Sequence, residues 1–154
     1  MKRRYAILLL ALLAAPVIVI AYDVVSIYPS NAQAAAGAVN ISVPINLNNN
    51  DSIAVLEFQI NHTNYIVPVS VTNTSRIFNG TIEWNTLTPQ TTKVAAFVPG
   101  NISPGSGPIM NVIFDVNSSA VPGNYSILLS GIIITNVEIN ELPVSPSGGI
   151  FTIL

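Results

Sequence analysis

Cysteine is absent from the 154-residue chain, and histidine and tryptophan each occur once. Without cysteine there is no disulfide, no thiolate nucleophile and no cysteine-bound zinc. Charged residues make up only 8% of the sequence, and three of its five cations are Lys2, Arg3 and Arg4. The rest of the chain has Arg76 and Lys93 against seven carboxylates. So few cations cannot neutralise a phosphate backbone, which excludes nucleic-acid binding.

The one long apolar run, Tyr5–Ala21, directly follows these three cations. A basic start, an apolar stretch and a small last residue are typical of a secretory signal, with cleavage expected before Tyr22. The alternative is an uncleaved membrane anchor, since about 17 apolar residues are just enough to span a bilayer. Pro16 favours the signal. Both interpretations of residues 1–21 export residues 22–154, which are predicted to form one extracellular domain with no other membrane contact.

Asn-X-Ser/Thr sequons are a second indication of export. Chance predicts roughly 2.6 of them from the Asn, Ser and Thr content, and the chain has eight. The predicted N-glycosylation sites are Asn40, Asn50, Asn61, Asn73, Asn79, Asn101, Asn117 and Asn124. Glycans there would hydrate a surface that has little charge. The alternative is an asparagine-rich surface that carries no glycan.

After the leader, apolar and polar residues alternate with period two, which predicts strands rather than helices. The predicted strands are Tyr22–Tyr28, Ala38–Leu47, Ile53–Asn61, Tyr65–Val71, Arg76–Trp84, Thr92–Val98, Met110–Asn117, Gly123–Ser130, Ile132–Glu138 and Gly149–Leu154. Asn79-Gly80 falls inside Arg76–Trp84 and indicates that this segment is a bulged strand or two short strands. Asn31–Gly37 is predicted to be a weakly structured connector. About nine or ten short strands predict an all-β, antiparallel sandwich with jelly-roll topology.

The alternation also predicts which residues of each strand face the solvent. In Ile53–Asn61 the predicted inward residues are Ala54, Leu56, Phe58 and Ile60, and the outward ones are Val55, Glu57, Gln59 and Asn61. The sequon at Asn61 is therefore on the outward face, as a glycan requires. The sequons at Asn40, Asn117 and Asn124 also fall on outward positions.

Several segments carry a resemblance to a known family. They are Val24–Ile27, Ala36–Ile45, Ser52–Ile60, Lys93–Phe97, Pro108–Val116 and Gly148–Ile153. In order and pattern they resemble the strands of cohesins, a family of the carbohydrate-binding-module-like jelly rolls. The resemblance implies a non-catalytic module that binds a protein through one flat sheet; in cellulosomes that protein is a calcium-loaded dockerin. The many sequons without cysteine are typical of an archaeal cell-surface protein.

By this resemblance the binding sheet includes Ile53–Asn61, Arg76–Trp84 and Thr92–Val98. Val55 and Glu57 occupy two positions where cohesins often carry Asn and Asp. No sequon begins between Thr81 and Gly100, so part of the sheet would be free of glycan. The candidate binding residues are Val55, Glu57, Gln59, Glu83, Trp84 and Lys93. They would contact an extracellular protein or a polysaccharide, although Trp84 alone makes no stacking platform and is alternatively a half-buried edge residue.

No pattern predicts an enzyme, a cofactor or a metal site. His62 is alone at a predicted strand end, which indicates a surface turn rather than a zinc ligand or a triad member. Glu138 and Glu141 are close in sequence, but a strand-end pair is not the carboxylate pair across a cleft that a glycosidase needs.

The alternative function is structural, as the subunit of an extracellular filament. Tyr22–Tyr28, followed by the Asn31–Gly37 connector, could be donated to the sheet edge of the next subunit. Head-to-tail donation of this kind polymerises. Pairing of Tyr22–Tyr28 within its own domain is the competing expectation.

Overall fold

The computed structural model describes residues 23–154, so the predicted leader, residues 1–21, lies outside the described residues. The described part contains eleven strands and one short 3-10 helix, Ser75–Ile77. The strands are β1 Val25–Pro29, β2 Ala32–Ala34, β3 Ile41–Asn49, β4 Ile53–Asn61, β5 Ile66–Asn73, β6 Thr81–Thr88, β7 Thr91–Ile102, β8 Gly105–Val116, β9 Gly123–Asn136, β10 Val144–Pro146 and β11 Gly149–Ile153. Within these residues, no helix has the length and apolarity to cross a membrane.

The strands form two sheets that pack face to face. One sheet has the order β10-β1-β3-β8-β5, and the other has the order β2-β11-β9-β4-β7-β6. The pairs β1–β10 and β2–β11 are parallel, and the other pairs are antiparallel. This architecture confirms the predicted all-β sandwich.

The core lies between the two sheets and is made by the inward position of every second residue. Phe58, Phe114 and Phe151 are its largest fully buried side chains. The rings of Phe114 and Phe151 meet edge to face, with centroids 6.5 Å apart. In β8 the predicted inward residues are all buried, ending at Phe114 and Val116. Because every second residue points into the core, the residues between them form the outward face of each sheet, and this face is available for function.

Bulges account for the places where the predicted alternation is wrong. Ala54 was expected inward, but the β4 register shifts between Ile53 and Val55, and Ile53 is the buried residue. The two strands predicted on either side of Gly131 are one strand, β9. Gly131 has φ 55°, and the β4–β9 register shifts beside it. An extra residue of this kind moves side chains to the other face without ending the strand.

The segment around Arg76 also differs from the predicted strand. Residues Ser75–Ile77 form the 3-10 helix, and β6 starts only at Thr81, after Asn79 at φ 65°. Asparagine tolerates the left-handed region better than most residues. The predicted strand Arg76–Trp84 was therefore wrong before Thr81, because its first part is a helical turn and not a bulged strand or a second short strand.

The first strand is held inside its own sheet. β1 lies between β10 and β3, and Val25 and Ile27 are almost completely buried. The predicted connector is also ordered, because Ala32–Ala34 forms β2 beside β11. A strand with two partners and a buried face is not free for donation, so the arrangement does not favour the filament alternative.

Arg76 joins the ends of several strands. Its Nη1 donates to the carbonyl oxygens of Leu47 at 2.7 Å and Gly107 at 3.1 Å. Its Nη2 donates to Asn49 Oδ1 at 2.7 Å and to the Ser103 carbonyl oxygen at 3.1 Å. These contacts hold the end of β3 against the turn between β7 and β8. Burial lowers the pKa of Arg76.

Candidate functional site

The candidate site is the outward face of the six-stranded sheet, where β9, β4, β7 and β6 lie side by side. Residues directly opposite each other on paired strands share a face. Three rows cross these strands in order: Thr135, Val55, Phe97 and Thr81; Ile133, Glu57, Ala95 and Glu83; Ser130, Gln59, Lys93 and Asn85. We call these residues the β4–β7 face.

An ion pair lies at the centre of the β4–β7 face. Lys93 Nζ is 2.8 Å from Glu57 Oε1, and both side chains are partly exposed. The two residues are diagonal neighbours, because Glu57 is opposite Ala95 and Lys93 is opposite Gln59. Within the described residues this is the only ion pair, so Glu83 is a carboxylate on this face without a cationic partner.

Apolar side chains lie next to the ion pair. Val55 and Phe97 are directly opposite each other, and Ile133 is diagonal to Val55. The exposed fractions are 36% for Val55, 57% for Phe97 and 45% for Ile133. Exposed apolar groups that lie together are typical of the core of a protein-binding surface, and charged groups are typical of its rim.

A shallow depression of about 250 Å³ adjoins these residues at the sheet edge. It is lined by Glu83, Trp84, Asn85, Leu87, Lys93 and Ala95. The short Ala95 side chain lies between longer neighbours, Lys93 on its own strand and Glu83 across from it. The depression is therefore large enough for one side chain of a partner.

Strand parity sets Trp84 apart from the other candidate residues, although Trp84 also lines the edge depression together with Glu83 and Lys93. Trp84 is opposite Val94, a buried residue, whereas Glu83 is opposite Ala95 on the outward face. Neighbouring residues of a strand point to opposite faces, and β6 continues to Thr88. Trp84 keeps 36% exposure because β6 is an edge strand.

The other five candidates, Val55, Glu57, Gln59, Glu83 and Lys93, share the outward face. Two exposed residues of this face, Phe97 and Ile133, were missed. Strict alternation from Lys93 would have identified Phe97 as outward. Ile133 could not be found in this way, because the bulge at Gly131 reverses the alternation of β9.

The sequon asparagines lie at the surface, and Asn61 is the most enclosed of them. Asn61 Nδ2 donates to Ser130 Oγ at 2.7 Å at one end of the β4–β7 face. Three others, Asn40, Asn79 and Asn101, have φ angles of 59–65°. Asparagine is favoured in that conformation without any glycan, so turn geometry accounts for part of the excess of sequons. Glycosylation stays a prediction.

His62 is part of the core, and its assignment to a surface turn was wrong. It is only 6% exposed and meets the Phe114 ring edge to face at 5.6 Å. Nδ1 is 2.9 Å from the Thr63 carbonyl oxygen, which can only accept, so Nδ1 carries the proton. Nε2 then accepts from the Thr92 hydroxyl at 3.3 Å. Burial lowers the pKa of His62.

Other titratable groups do not form a site. Glu138 and Glu141 lie near the turn after β9, where Asn140 Nδ2 donates to the Glu138 carboxylate at 3.3 Å. In residues 23–154 no three His, Cys, Asp or Glu side chains are grouped so as to hold a metal ion.

The two-sheet sandwich has a cohesin-like fold, which confirms the fold expected from the sequence. A non-cellulosomal cohesin from the hyperthermophilic archaeon Archaeoglobus fulgidus matches with a TM-score of 0.75 and 23% identity, over 86% of this chain and 92% of that one. A type I cohesin from Clostridium thermocellum, in a cohesin–dockerin complex, matches with a TM-score of 0.76 and 17% identity, over 86% and 100%. The third ScaC cohesin of Acetivibrio cellulolyticus, in complex with the ScaB dockerin, matches with a TM-score of 0.73 and 22% identity, over 84% of this chain and 99% of that one. No family model and no curated protein sequence matches the chain.

Proposed function

We propose that this chain is a non-catalytic protein-binding module that captures its partner on the β4–β7 face. The observation that carries the proposal is the cluster of exposed Val55, Phe97 and Ile133 beside the Glu57–Lys93 ion pair. Apolar side chains that lie together at the surface are typical of a site that another protein covers.

The fold supports the same role. The similar cohesins of C. thermocellum and A. cellulolyticus are in complexes with dockerins. By analogy, a dockerin-like protein is the kind of partner we propose here. Fold likeness alone does not transfer a partner, so the surface chemistry described above has the larger weight.

The proposed location is the cell surface or the extracellular medium. Support comes from the sequence, in the basic and apolar residues 1–21 and in the eight sequons. Sequon Asn61 is at the end of the face, while Val55, Glu57 and Lys93 are not in sequons. Glycans would therefore border the proposed contact surface and leave its centre open.

A polysaccharide is a weaker candidate for the ligand. Sugar-binding sheets stack pyranose rings on exposed aromatic side chains. In the three rows of the β4–β7 face Phe97 is the one aromatic residue, and Trp84 projects from the other side of β6. One ring does not make a platform, so protein binding is the better explanation of this surface.

The test compares one substitution on the β4–β7 face with the same substitution on the other sheet. The exported chain is immobilised, and binding of a panel of dockerins and of proteins from the producing culture is measured by biolayer interferometry. Val55→Asp places an unpaired carboxylate in the proposed contact, which should weaken binding at least about tenfold. Glu57→Ala, which leaves Lys93 unpaired, should weaken it less.

Val67→Asp is the matched control. Val67 is also an exposed valine on a strand, but it lies on the outward face of the five-stranded sheet, opposite Asp115. We expect it to bind as the unmodified chain does. If Val55→Asp binds every partner as tightly as Val67→Asp, the β4–β7 face is not the contact surface.

A further inference from the structure

Two sheets have four edge strands, and three of the four edges described here are blocked against further pairing. β2 and β10 are only three residues long. β5 contains Pro68, which has no N–H to donate, and its register shifts beside that residue. Short strands, prolines and bulges are the usual means by which folded proteins prevent edge-to-edge association.

β6 is the fourth edge, and it is open. Its eight residues contain no proline, glycine or lysine, and Glu83 is the only charged residue among them. Threonine, isoleucine and tryptophan give it a high strand propensity. Its pairing with β7 is regular from Thr81 to Thr86, so its outer N–H and C=O groups alternate without interruption over these residues. No sequon begins within β6, and the nearest one, at Asn79, precedes the first residue of the strand by two positions.

We propose that β6 is a self-association site, at which two copies of this chain pair antiparallel about a two-fold axis. The occupant is a second copy because β6 can satisfy its own unpaired edge. Within residues 23–154 the other edges are blocked, so a copy can offer only its own β6. Pairing of identical edges is isologous and leaves no open edge, so the assembly closes at two copies rather than growing into a filament.

The charge on β6 is compatible with this pairing. If Trp84 lies opposite its own copy, Glu83 lies opposite Asn85 of the second copy and not opposite another Glu83. Asn85 is in turn the cross-strand neighbour of Lys93. The carboxylate that has no ion pair within residues 23–154 thus meets an amide donor and a nearby cation. Pairing would also cover Trp84 and Leu87, which are 36% and 49% exposed.

The expected dimer is weak. A pair of eight-residue strands buries less than the about 1,200 Å² that stable interfaces require, so we expect a dissociation constant of about 100 µM. Sedimentation velocity on the exported chain, from about 5 µM to about 1 mM, should show a monomer that becomes a dimer. Because Trp84 is the only tryptophan, its emission should shift to shorter wavelength over the same range. The β6 amides that do not bond to β7 should become protected from hydrogen exchange.

Two lysine substitutions make the matched test. Thr86→Lys adds a charge to the exposed edge of β6, and Thr72→Lys adds the same charge to the exposed edge of β5. Thr86→Lys should stay monomeric at about 1 mM with an unchanged melting temperature, while Thr72→Lys should dimerise normally. The β6 pairing does not involve Val55, so Val55→Asp should also dimerise.

Several results would overturn the proposal. One is an unmodified chain that stays monomeric at the highest concentration, and another is a dimer that Thr86→Lys leaves intact. Species larger than a dimer would contradict closure at two copies. Protection of the β6 amides only when an extended peptide is added would show that the partner strand comes from another protein.

Discussion

The described residues contain two cations, Arg76 and Lys93, and we predict that removing them lowers the stability by very different amounts. The Arg76 guanidinium donates four hydrogen bonds, the shortest at 2.7 Å, to acceptors on three segments. Lys93 makes one exposed ion pair, to Glu57. An electrostatic view based on charge alone would rank Lys93 first, because only Lys93 has a carboxylate partner.

The magnitudes reverse that order. A hydrogen bond from a charged donor contributes about 1.5–3 kcal/mol net, and exposed ion pairs contribute about 0–1 kcal/mol. Arg76 is only half-buried, and water can replace part of what it donates. Allowing for this, we expect Arg76→Ala to lower the free energy of unfolding by about 3 kcal/mol, which is a fall of about 10 °C in melting temperature. Lys93→Ala should cost at most about 1 kcal/mol.

Urea denaturation, followed by the far-ultraviolet circular dichroism of the sheets, measures both variants. Arg76→Lys is the control for charge, because one ammonium cannot reach all four acceptors. It should recover less than half of the loss. If Arg76→Ala and Lys93→Ala destabilise the domain equally, or if lysine at position 76 restores full stability, the four contacts are not what makes Arg76 important.

Three further predictions concern single sites. Burial lowers the pKa of His62 below its usual 6.5, so the unfolded chain takes up a proton that the folded chain does not. The contribution of neutral His62 to the free energy of unfolding is therefore fully present above about pH 6.5 and is lost as the pH falls from there towards the folded pKa. His62→Gln should remove this part of the pH dependence of the melting temperature. Gly149→Ala would place its Cβ 2.7 Å from the Pro29 carbonyl oxygen and should cost about 2–3 kcal/mol in urea, whereas Gly100→Ala, with nothing within 4 Å, should cost almost nothing. Ile139, at φ 65° and 83% exposed, is strained in a turn, so Ile139→Gly should raise the melting temperature by a few degrees, equivalent to about 1 kcal/mol. An unchanged or lower value for Ile139→Gly would contradict that strain.

Regular alternation made most of the fold predictable from sequence. β4 was predicted with its observed bounds, and Leu56, Phe58 and Ile60 point inward as expected. Prediction failed where the backbone departs from period two. The bulges at Ala54 and Gly131 depend on register against neighbouring strands, which lie far away in sequence. The three-residue strands β2 and β10 carry too little pattern to be recognised.

The candidate site was predicted in part for the same reason. Glu57 and Lys93 were grouped correctly on one face because both lie in regular stretches. Trp84, which the sequence also grouped with them, has the opposite strand parity but lines the edge depression beside Glu83 and Lys93. The four contacts of Arg76 and the burial of His62 depend on segments that only the fold brings together. Neither residue has a local signal for its role.

The positions of β10 and β11 have a consequence for the time at which this domain can fold. β1 pairs with β10, so Val25 meets Val144, and β11 separates β2 from β9. Neither sheet can be completed before residues 144–153 have emerged from the ribosome. Contacts between such distant residues also form slowly. Until those residues are available the domain remains incompletely folded, and an incompletely folded polypeptide can be threaded through a narrow membrane channel. If the domain is exported as proposed, the strand order itself would delay folding until β10 and β11 have crossed the membrane.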